Sequence, residues 1–421
     1  MKELKDKTGF IEGGVCAPKG FHAAGMHAGF KLKSKKKDLS IVYSEIMCDA
    51  AAAYTTNKVK GCTLKVTMDH LADGKAQAII TNSGYANTLA PNGREIALKT
   101  CDLTGAALGL DPRDLIVCST GVIGQPPRIE PFEKGVPLLA KAVLAGARGE
   151  DGGKFYGHGN AAEAIMTTDT VKKEAAIEFK IGGKTCRIGG MAKGSGMINP
   201  NMATMLVFLT TDVSIASPQL RVALKNDINH SFNQISIDGD TSTNDTVAIL
   251  ANGMAGNKRI DSFGKDFDAF AAALNRVTVW LARMLARDGE GATKLIECRV
   301  KNAPTDDLAM KVAKTVIQSD LVKTAIFGSD ANWGRIICAV GYTPGNFNTD
   351  NVEVVLSSEA GDITVCSKSF AIDFDEVLAK QILEEDEIII TIDLHDGMAN
   401  AKAFGCDLTY DYVRINGRYR T

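Results

Sequence analysis

The chain has 421 residues, of which 45% are hydrophobic and 23% are charged, and this is ample apolar material for the core of a folded protein. Its 48 Lys and Arg residues face 50 Asp and Glu residues, so the net charge is −2 and no basic excess exists to neutralise the phosphates of a nucleic acid. No apolar run approaches the ~20 residues of a membrane span, and the mixed charges of residues 1–7 argue against a secretory signal, so we expect a cytoplasmic protein without a membrane partner.

Strand-like and helix-like segments alternate along the first half of the chain. The predicted strands are 39–46, 76–82, 114–118, 175–181, 184–188 and 203–208, and the predicted helices are 93–108 and 131–145. Gly182 and Gly183 stand between two of these strands, which is typical of a two-residue hairpin turn. Segment 203–208 is almost wholly apolar and therefore predicts a strand that is buried on both faces. We interpret the charge run 31–37 as a solvated surface turn, with a docking patch as the alternative.

The second half of the chain repeats this alternation. The predicted helices are 217–231, 267–286, 308–319 and 375–383, and the predicted strands are 294–300, 352–356 and 387–394. Residues 408–416 alternate with period two, which is typical of a further strand. Alternating strands and helices predict an α/β protein, and the hairpin favours a mixed sheet over a purely parallel one.

Several patterns that would indicate a metal or a nucleotide are incomplete. The ten cysteines include no CxxC pair and the six histidines no HxxxH spacing, so we expect free thiols in a reducing cytosol and no metal. Residues 238–245 resemble the start of a calcium loop, but Thr243 occupies the position that needs glycine and Ile249 the position that needs glutamate. The glycines around Lys193 lack the order of a phosphate loop and lead into a strand. We expect no cofactor.

Four short segments carry candidate chemistry. In 189–204 a glycine-rich loop with Lys193 leads to Thr204 at the start of the buried strand; from periodicity alone, Lys193 is an exposed loop residue and Thr204 a structural one. Thr120 and Gly121 follow a predicted strand, where a hydroxyl and free N–H groups can form an oxyanion hole, although an ordinary turn is the alternative. Asp169 either caps a turn or serves a site, and the carboxylates of 288–290 are caps or ligands for a cation.

The sequence resembles the ornithine acetyltransferase family, also called bifunctional glutamate N-acetyltransferase, of arginine biosynthesis. The resemblance covers nearly the whole chain in order. It rests on Asn82-Ser-Gly84, Ser119-Thr-Gly121, residues 164–170, Gly190-Met-Ala-Lys-Gly194, Asn201-Met-Ala-Thr-Met205, residues 288–294, Asn332-Trp-Gly-Arg335 and residues 412–421. Tyr85 departs from the pattern, since a small polar residue is expected there.

The resemblance implies an αββα-like sandwich of the ornithine acetyltransferase and self-processing aminopeptidase type, with a smaller C-terminal lobe. It also implies that the precursor cuts its own bond between Ala203 and Thr204. The products would be an α chain, 1–203, and a β chain, 204–421, which share one core, so that the cut is not a domain boundary. Two of each chain would form a heterotetramer.

The implied activity is transfer of an acetyl group from N-acetylornithine to glutamate by a ping-pong mechanism through an acetyl-Thr204 ester, with acetyl-coenzyme A as a possible co-substrate. Thr204 would be the nucleophile, and Thr120 with Gly121 the oxyanion hole. The substrate-binding residues implied by the resemblance are Thr167, Lys193, Thr204, Glu290, Asn416 and Thr421. Two alternatives stay open: a self-processing aminopeptidase or amidase, in which water takes the acyl group, and a non-catalytic amino-acid-binding regulator.

Overall fold

The computed structural model describes residues 9–32, 34–199 and 205–418. The strands are β1 Phe21–Met26, β2 Leu39–Tyr54, β3 Lys75–Tyr85, β4 Leu115–Val122, β5 Lys173–Ile181, β6 Lys184–Lys193, β7 Leu206–Thr211, β8 Ile235–Ser236, β9 Thr246–Ala251, β10 Leu295–Ala303, β11 Glu353–Ser358, β12 Gly361–Ser367, β13 Phe370–Ala371, β14 Glu387–Asp393 and β15 Ala399–Cys406. The α-helices are α1 Cys62–His70, α2 Gly93–Leu108, α3 Glu130–Ala147, α4 His158–Ala164, α5 Ser217–His230, α6 Lys265–Arg287, α7 Asp306–Gln318, α8 Asp320–Phe327, α9 Trp333–Gly341, α10 Glu376–Glu384 and α11 Tyr410–Asn416.

The larger sheet is mixed and is held together by the long strand β2. Its order is β4-β3-β2-β9-β7-β6-β5, with β1 also paired to β2. The register between β2 and β3 shifts between Tyr43 and Cys48. Before this bulge β2 pairs with β1 and β3; after it β2 pairs with β3 at Cys48 and Asp49 and with β9 from Asp49 to Tyr54. Because a bulge bends a strand and increases its twist, β2 can carry the sheet from one layer into a second.

The two halves of this sheet share one apolar interior. Ile79 and Ile116 of the first half belong to the same buried cluster as Met191, Leu206 and Phe208 of the second half. On the outer faces, α2 and α3 pack on the first half, and α5 and α6 pack on the second. The layers are therefore helix, sheet, sheet and helix. The αββα sandwich, the α/β class and the mixed sheet are confirmed.

Strand β7 runs through the middle of this sandwich. Leu206 and Phe208 face the shared interior, while Val207 and Leu209 face the cluster that contains α6. The prediction of a strand buried on both faces is confirmed for residues 206–208, whereas Ala203 and Thr204 lie outside the described residues. β7 pairs antiparallel with β6. The segments before and after the predicted cut are thus neighbours in one sheet.

The C-terminal lobe is built on a second, smaller sheet with the order β13-β12-β11-β14-β10-β15-β8. Helices α7 and α10 bury their apolar faces against it. Helix α6 joins the two parts, because Leu295 and Phe404 of the second sheet belong to the same cluster as the sandwich residues that α6 covers. Within the described ranges, no helix is long and apolar enough to cross a membrane. All ten cysteines are free.

Two predictions about local structure are wrong. Residues 408–416 do not form a strand: Tyr410–Asn416 is helix α11, which begins where the Thr409 side chain accepts a hydrogen bond from Asp411 N at 3.2 Å. The last strand is β15, which was not predicted. Gly189 and Gly190 lie inside β6 and not in a loop. Position 189 requires glycine because a Cβ there would overlap the carbonyl oxygen of Gly14.

Candidate active site

One cavity of about 520 Å³ brings together site residues that are far apart in the sequence. The predicted residues on its wall are Thr120, Gly121, Thr167, Lys193, Glu290 and Asn416. The predicted residues Ala203, Thr204 and Thr421 lie outside the described residues. Met205, which is bonded to Thr204, and Arg418, the last described residue, line the same cavity.

Thr120 and Gly121 lie within the last residues of β4, since this strand extends to Val122. Gly121 has a φ of 132°, and a Cβ there would overlap the backbone of Gly84, its partner in β3. Only glycine therefore fits this strand end. Lys193 Nζ donates a hydrogen bond to Thr120 Oγ1 at 3.2 Å. Because a hydroxyl accepts and donates independently, the Thr120 O–H can still donate to a group in the cavity.

Lys193 is not an exposed loop residue, as periodicity alone suggested. It is the last residue of β6 and is only 8% exposed. Burial lowers the pKa of Lys193, and the carboxylates of Asp169 and Asp245 oppose this shift. The cavity therefore holds a cation next to the Thr120 hydroxyl, in a position where it can attract an anionic substrate group.

A buried ion cluster lies behind the cavity wall. Lys173 Nζ contacts Asp169 Oδ1 and Asp288 Oδ2, each at 2.6 Å, and the three residues are at most 4% exposed. Burial alone would raise the pKa of Asp169, but the charges of Lys173 and Lys193 outweigh it and hold that pKa well below its ordinary value. The two carboxyl groups supply the partners that a buried lysine requires.

The acids of this cluster hold three cavity segments in place. Asp169 accepts hydrogen bonds from Thr167 N at 2.9 Å and from Gly194 N at 2.7 Å, and so fixes the residues beside Lys193. The backbone carbonyl of Asp288 accepts from Ser195 Oγ at 2.6 Å, and Ser195 O accepts from Glu290 N at 2.7 Å. Asp169 thus caps a turn and also belongs to a buried cluster.

Lys173 was not predicted as a site residue. Its spacing of four residues from Asp169 was the local signal that could have indicated an ion pair. The second partner, Asp288, lies 115 positions away and could not be found from spacing.

Glu290 and Asn416 are also on the cavity wall. Glu290 is 7% exposed, and its Oε2 atom accepts a hydrogen bond from Asn416 Nδ2 at 2.7 Å. A Cβ at Gly196 would overlap the Glu290 carboxylate, so the glycine makes room for this acid. Asn416 is the last residue of α11, and the helix that replaced a predicted strand is what brings it to the cavity.

A second cavity of about 760 Å³ adjoins the first and shares residues 121–123 and 167–168 with it. Lys31 and Lys36 are on its wall. Lys31 Nζ donates to Lys37 O at 2.7 Å and to Met166 O at 2.8 Å, and burial lowers the pKa of Lys31 to about 8. The interpretation of 31–37 as a solvated turn is therefore wrong for Lys31.

The first carboxylate of the acidic segment 238–245 accepts hydrogen bonds from backbone N–H groups of the protein. Asp238 accepts hydrogen bonds from Met197 N at 2.6 Å and Ile198 N at 2.9 Å. In the part of the chain that the structure describes, no group of three or more His, Cys, Asp or Glu side chains is arranged to hold a metal ion.

Tyr85, the departure from the family pattern, fits its surroundings. It is 3% exposed, and its ring lies 5.7 Å from the ring of Phe30. Phe30 packs in turn on Phe132 of α3. The larger side chain therefore fills the outer core of the first half of the sandwich, next to Gly84.

The sequence profile and the relatives that match this chain all belong to one family. The sequence profile described as ArgJ family matches residues 22–421. The arginine biosynthesis bifunctional protein ArgJ of Symbiobacterium thermophilum is 48% identical over 414 residues, which cover 98% of this chain and 100% of that protein. The protein of the same name from Caldanaerobacter subterraneus subsp. tengcongensis is 47% identical over 412 residues, covering 98% and 99%. A crystal structure of the Bacillus halodurans ArgJ protein matches with a TM-score of 0.49 and 47% identity over 51% of this chain and 99% of that chain.

Proposed function

Because this chain belongs to the ArgJ family, we propose that it is a self-cleaving acetyltransferase that moves the acetyl group of N-acetylornithine to glutamate. Membership rests on the profile match over residues 22–421 and on relatives of 47–48% identity over almost the full length. The chain is thus an acyltransferase of arginine biosynthesis. The observation that carries the finer proposal is the single cavity, because it gathers six residues between positions 120 and 416 together with Met205, the neighbour of Thr204.

The proposed cleavage begins when the Thr204 hydroxyl attacks the carbonyl carbon of Ala203. The peptide C–N bond breaks, its nitrogen takes the hydroxyl proton, and water then hydrolyses the resulting ester. Thr204 is left with a free α-amine, whose ordinary pKa is about 7.7–8.0. A neutral amine next to its own hydroxyl can act as the base that activates it. The pairing of β6 with β7 supports this proposal, since it keeps the products 1–203 and 204–421 in one sheet.

In the proposed transfer, Thr204 attacks the acetyl carbonyl of N-acetylornithine. The Thr120 hydroxyl and the Gly121 N–H stabilise the oxyanion, ornithine leaves, and the acetyl-Thr204 ester then passes its acetyl group to the amine of glutamate. The hydrogen bond between Lys193 and Thr120 supports this arrangement, because it places a cation beside the developing negative charge.

The proposed substrate contacts follow from charge. Lys193 pairs with a substrate α-carboxylate, and Glu290 pairs with the side-chain ammonium of ornithine as a charge-assisted contact. Thr167, Asn416 and Thr421 complete the pocket. The hydrogen bond from Asn416 to Glu290 supports this role, since it fixes the orientation of the acid that meets the cation.

We propose further that the steps need no metal or other cofactor, and that two α and two β chains assemble as a heterotetramer in the cytoplasm. Acetyl-coenzyme A is a second candidate acetyl donor. The adjoining cavity of about 760 Å³ supports this candidate, because Lys31 and Lys36 on its wall offer positive charge to a long, phosphorylated molecule.

The test is Thr204→Ala, with Thr185→Ala, an exposed threonine of β6, as the matched control. We expect the wild type and the control to run as two chains on denaturing electrophoresis and to transfer acetyl. T204A should remain one chain and transfer none. Mass spectrometry of wild-type enzyme quenched during turnover should find an acetyl group on Thr204.

Three outcomes would contradict the proposal. A cleaved T204A would place the cut elsewhere. Free acetate as the only product from N-acetylornithine and glutamate would indicate an amidase. A wild type that remains a single chain without activity would indicate an amino-acid-binding regulator.

A further inference from the structure

Asn244 lies on the cavity wall, and none of the steps proposed above uses it. It is 7% exposed, so its side-chain amide is almost fully removed from solvent. A primary amide has two N–H donors and one oxygen that can accept two hydrogen bonds. Because a buried polar group without partners costs free energy, the partners of this amide indicate what it does in the protein.

The amide of Asn244 makes four hydrogen bonds within the protein. Its Nδ2 atom donates to Ser119 O at 3.0 Å and to Ala86 O. Its Oδ1 atom accepts from Thr88 Oγ1 and from Thr243 Oγ1, each at 2.6 Å. Two carbonyl oxygens can face only the N–H side of an amide, so its orientation is fixed. These bonds use its whole capacity and leave neither a donor nor an acceptor for a substrate.

One of these hydrogen bonds reaches the predicted oxyanion hole. Ser119 O belongs to the planar peptide group that ends at the N–H of Thr120, so a bond to this carbonyl fixes the plane from which Thr120 continues. The Ser119 side chain is held as well, because its Oγ donates to Asn82 Oδ1 at 2.6 Å. Asn82 is fully buried and lies opposite Ser119 on β3. The residue before Thr120 is thus held through both its backbone and its side chain.

The segment that carries Asn244 is itself anchored. Gly61 N donates to Thr243 O at 3.0 Å, and Thr55 N donates to Asp245 O at 3.1 Å, so the backbone is held on both sides of residue 244. A Cβ at Gly61 would overlap the Asn244 amide, which shows how closely the two are packed. The amide is therefore a rigid support for the end of β4.

We propose that Asn244 is a positioning residue for acetyl transfer, which holds the peptide group between Ser119 and Thr120 so that the Thr120 hydroxyl is aimed at the oxyanion. This rests on the oxyanion role proposed for Thr120 above. Lys193 Nζ already donates to Thr120 Oγ1, and so restricts the direction in which the O–H can point. With the backbone held by Asn244, the donor is in place before negative charge develops, and no reorganisation is needed during the reaction.

The test is Asn244→Leu, which keeps the approximate shape and removes both donors. Activity is expressed per cleaved enzyme, with the cleaved fraction measured by denaturing electrophoresis. We expect kcat to fall about 100-fold, as for a misplacement of about 1 Å, and KM to change less than about threefold because the amide has no group free for a substrate.

Thr88→Val is a second variant, which removes one support of the amide without touching the cavity. Thr88 is fully buried and is not among the described residues of either cavity wall. Its loss leaves Thr243 as the remaining hydroxyl donor to Asn244 Oδ1. We expect a smaller fall in kcat, about fivefold, as for one hydrogen bond.

Asn257→Leu is the matched control. Asn257 is also 7% exposed, and its Nδ2 donates to two backbone carbonyls, Ser214 O at 3.2 Å and Lys258 O at 2.7 Å. These partners are not on the described wall of either cavity. N257L should lose unfolding free energy as N244L does, but its kcat should equal that of the wild type.

Combination with Thr120→Val separates positioning from a general loss of structure. In T120V the hydroxyl that Asn244 positions is gone, so adding N244L should lower kcat about tenfold or less, in place of about 100-fold in the wild type. Coupling of this size is usual for residues in one hydrogen-bond network. The same comparison with T88V should show the smaller effect disappearing in T120V.

Equal losses of kcat from N244L with and without the Thr120 hydroxyl would overturn the proposal. So would a raised KM with kcat unchanged, because this would place a substrate on Asn244, or an equal fall of kcat in N257L. If N244L does not fold, an unchanged kcat in T88V would overturn the proposal by itself. Failure of the proposed function is distinguishable, because the wild type would then transfer no acetyl, and failure of the oxyanion role alone would appear as a normal kcat in T120V.

Discussion

Buried lysines occur in both the αββα sandwich and the C-terminal lobe, but their partners differ. In the sandwich, Lys173 lies between the carboxylates of Asp169 and Asp288. In the lobe, Lys294 Nζ donates to Ile326 O at 2.7 Å and Ser329 Oγ at 2.8 Å, and Lys323 Nζ donates to Ile237 O. These neutral oxygens join segments without adding negative charge. For these three lysines, acidic partners occur behind the polar cavity, and neutral partners occur where elements of the lobe are tied together.

The strands of the two regions differ in the same sense. All six residues of β7 and of β9 are buried, whereas β14 in the lobe alternates between buried and partly exposed residues. Strands that are covered on both faces have no polar face on which to place charges, so the charged groups next to β7 and β9 lie at strand ends. Lys193 and Asp245 occupy such ends. We therefore expect substitutions in the two regions to differ in their effects on the free energy of unfolding and on kcat.

The largest effect is expected for Lys173→Met, which leaves two buried acids without their shared cation. Breaking a fully buried pair costs about 3–5 kcal/mol of unfolding free energy. The lowered pKa of Asp169 stabilises the wild type above the ordinary value of about 3.9, and this contribution is lost as pH falls toward the folded-state pKa. In K173M, burial instead favours the protonated acid. Urea unfolding should therefore show a wide gap between the two proteins at pH 7 that narrows near pH 4; an equal gap at both would contradict the ion cluster.

A smaller effect, mainly on activity, is expected for Thr120→Val. Loss of one oxyanion donor typically lowers kcat about 100- to 1000-fold, or about 2.7–4 kcal/mol of transition-state stabilisation. The free energy of unfolding should fall less than in K173M, by about 1–3 kcal/mol, because Lys193 loses the hydroxyl that accepts its hydrogen bond. Steady-state kinetics and urea unfolding on the same sample measure both quantities. A normal kcat would show that the Thr120 hydroxyl does not act on the oxyanion.

The smallest effect is expected for Lys294→Met, the counterpart of K173M in the lobe. It leaves neutral oxygens unsatisfied and no unpaired acid, so we expect a loss of about 1–3 kcal/mol. Its kcat should match the wild type, because Lys294 contributes nothing to the cavity wall. The oxygens that Lys294 contacts do not change charge between pH 7 and pH 4, so the loss should be the same at both, without the narrowing expected for K173M. If K294M lost as much unfolding free energy as K173M, the proposed difference between ion-paired and neutrally bonded lysines would be wrong.

Local signals predicted much of the fold. Helix α2 has the predicted bounds 93–108, and the hairpin between β5 and β6 turns at Gly182 and Gly183 as expected. Both depend on interactions between residues close in sequence. The prediction of a loop at the glycines of β6 was wrong. Glycine is required at position 189 by the close approach of the Gly14 backbone, and hydrophobic periodicity carries no information about such a contact. Residues 408–416 were misread because a helix start at Thr409 outweighed a period-two pattern.

The site was accessible to sequence only through resemblance. Spacing alone left Lys193 as an exposed loop residue, whereas the structure buries it at the end of β6. Lys173 was not identified, since its second partner, Asp288, is brought from a distant part of the chain. Roles of this kind arise from topology, and no short segment encodes them.

The pairing of β6 with β7 also bears on how such an enzyme can be made. Two polypeptides synthesised apart would have to find each other in solution and give up translational freedom before this ladder could close. A continuous precursor keeps both strands at a high effective concentration, so the ladder forms as an ordinary folding step. Under the proposed cleavage, the peptide link between the halves is a temporary tether that serves assembly and is cut once the sheet is complete.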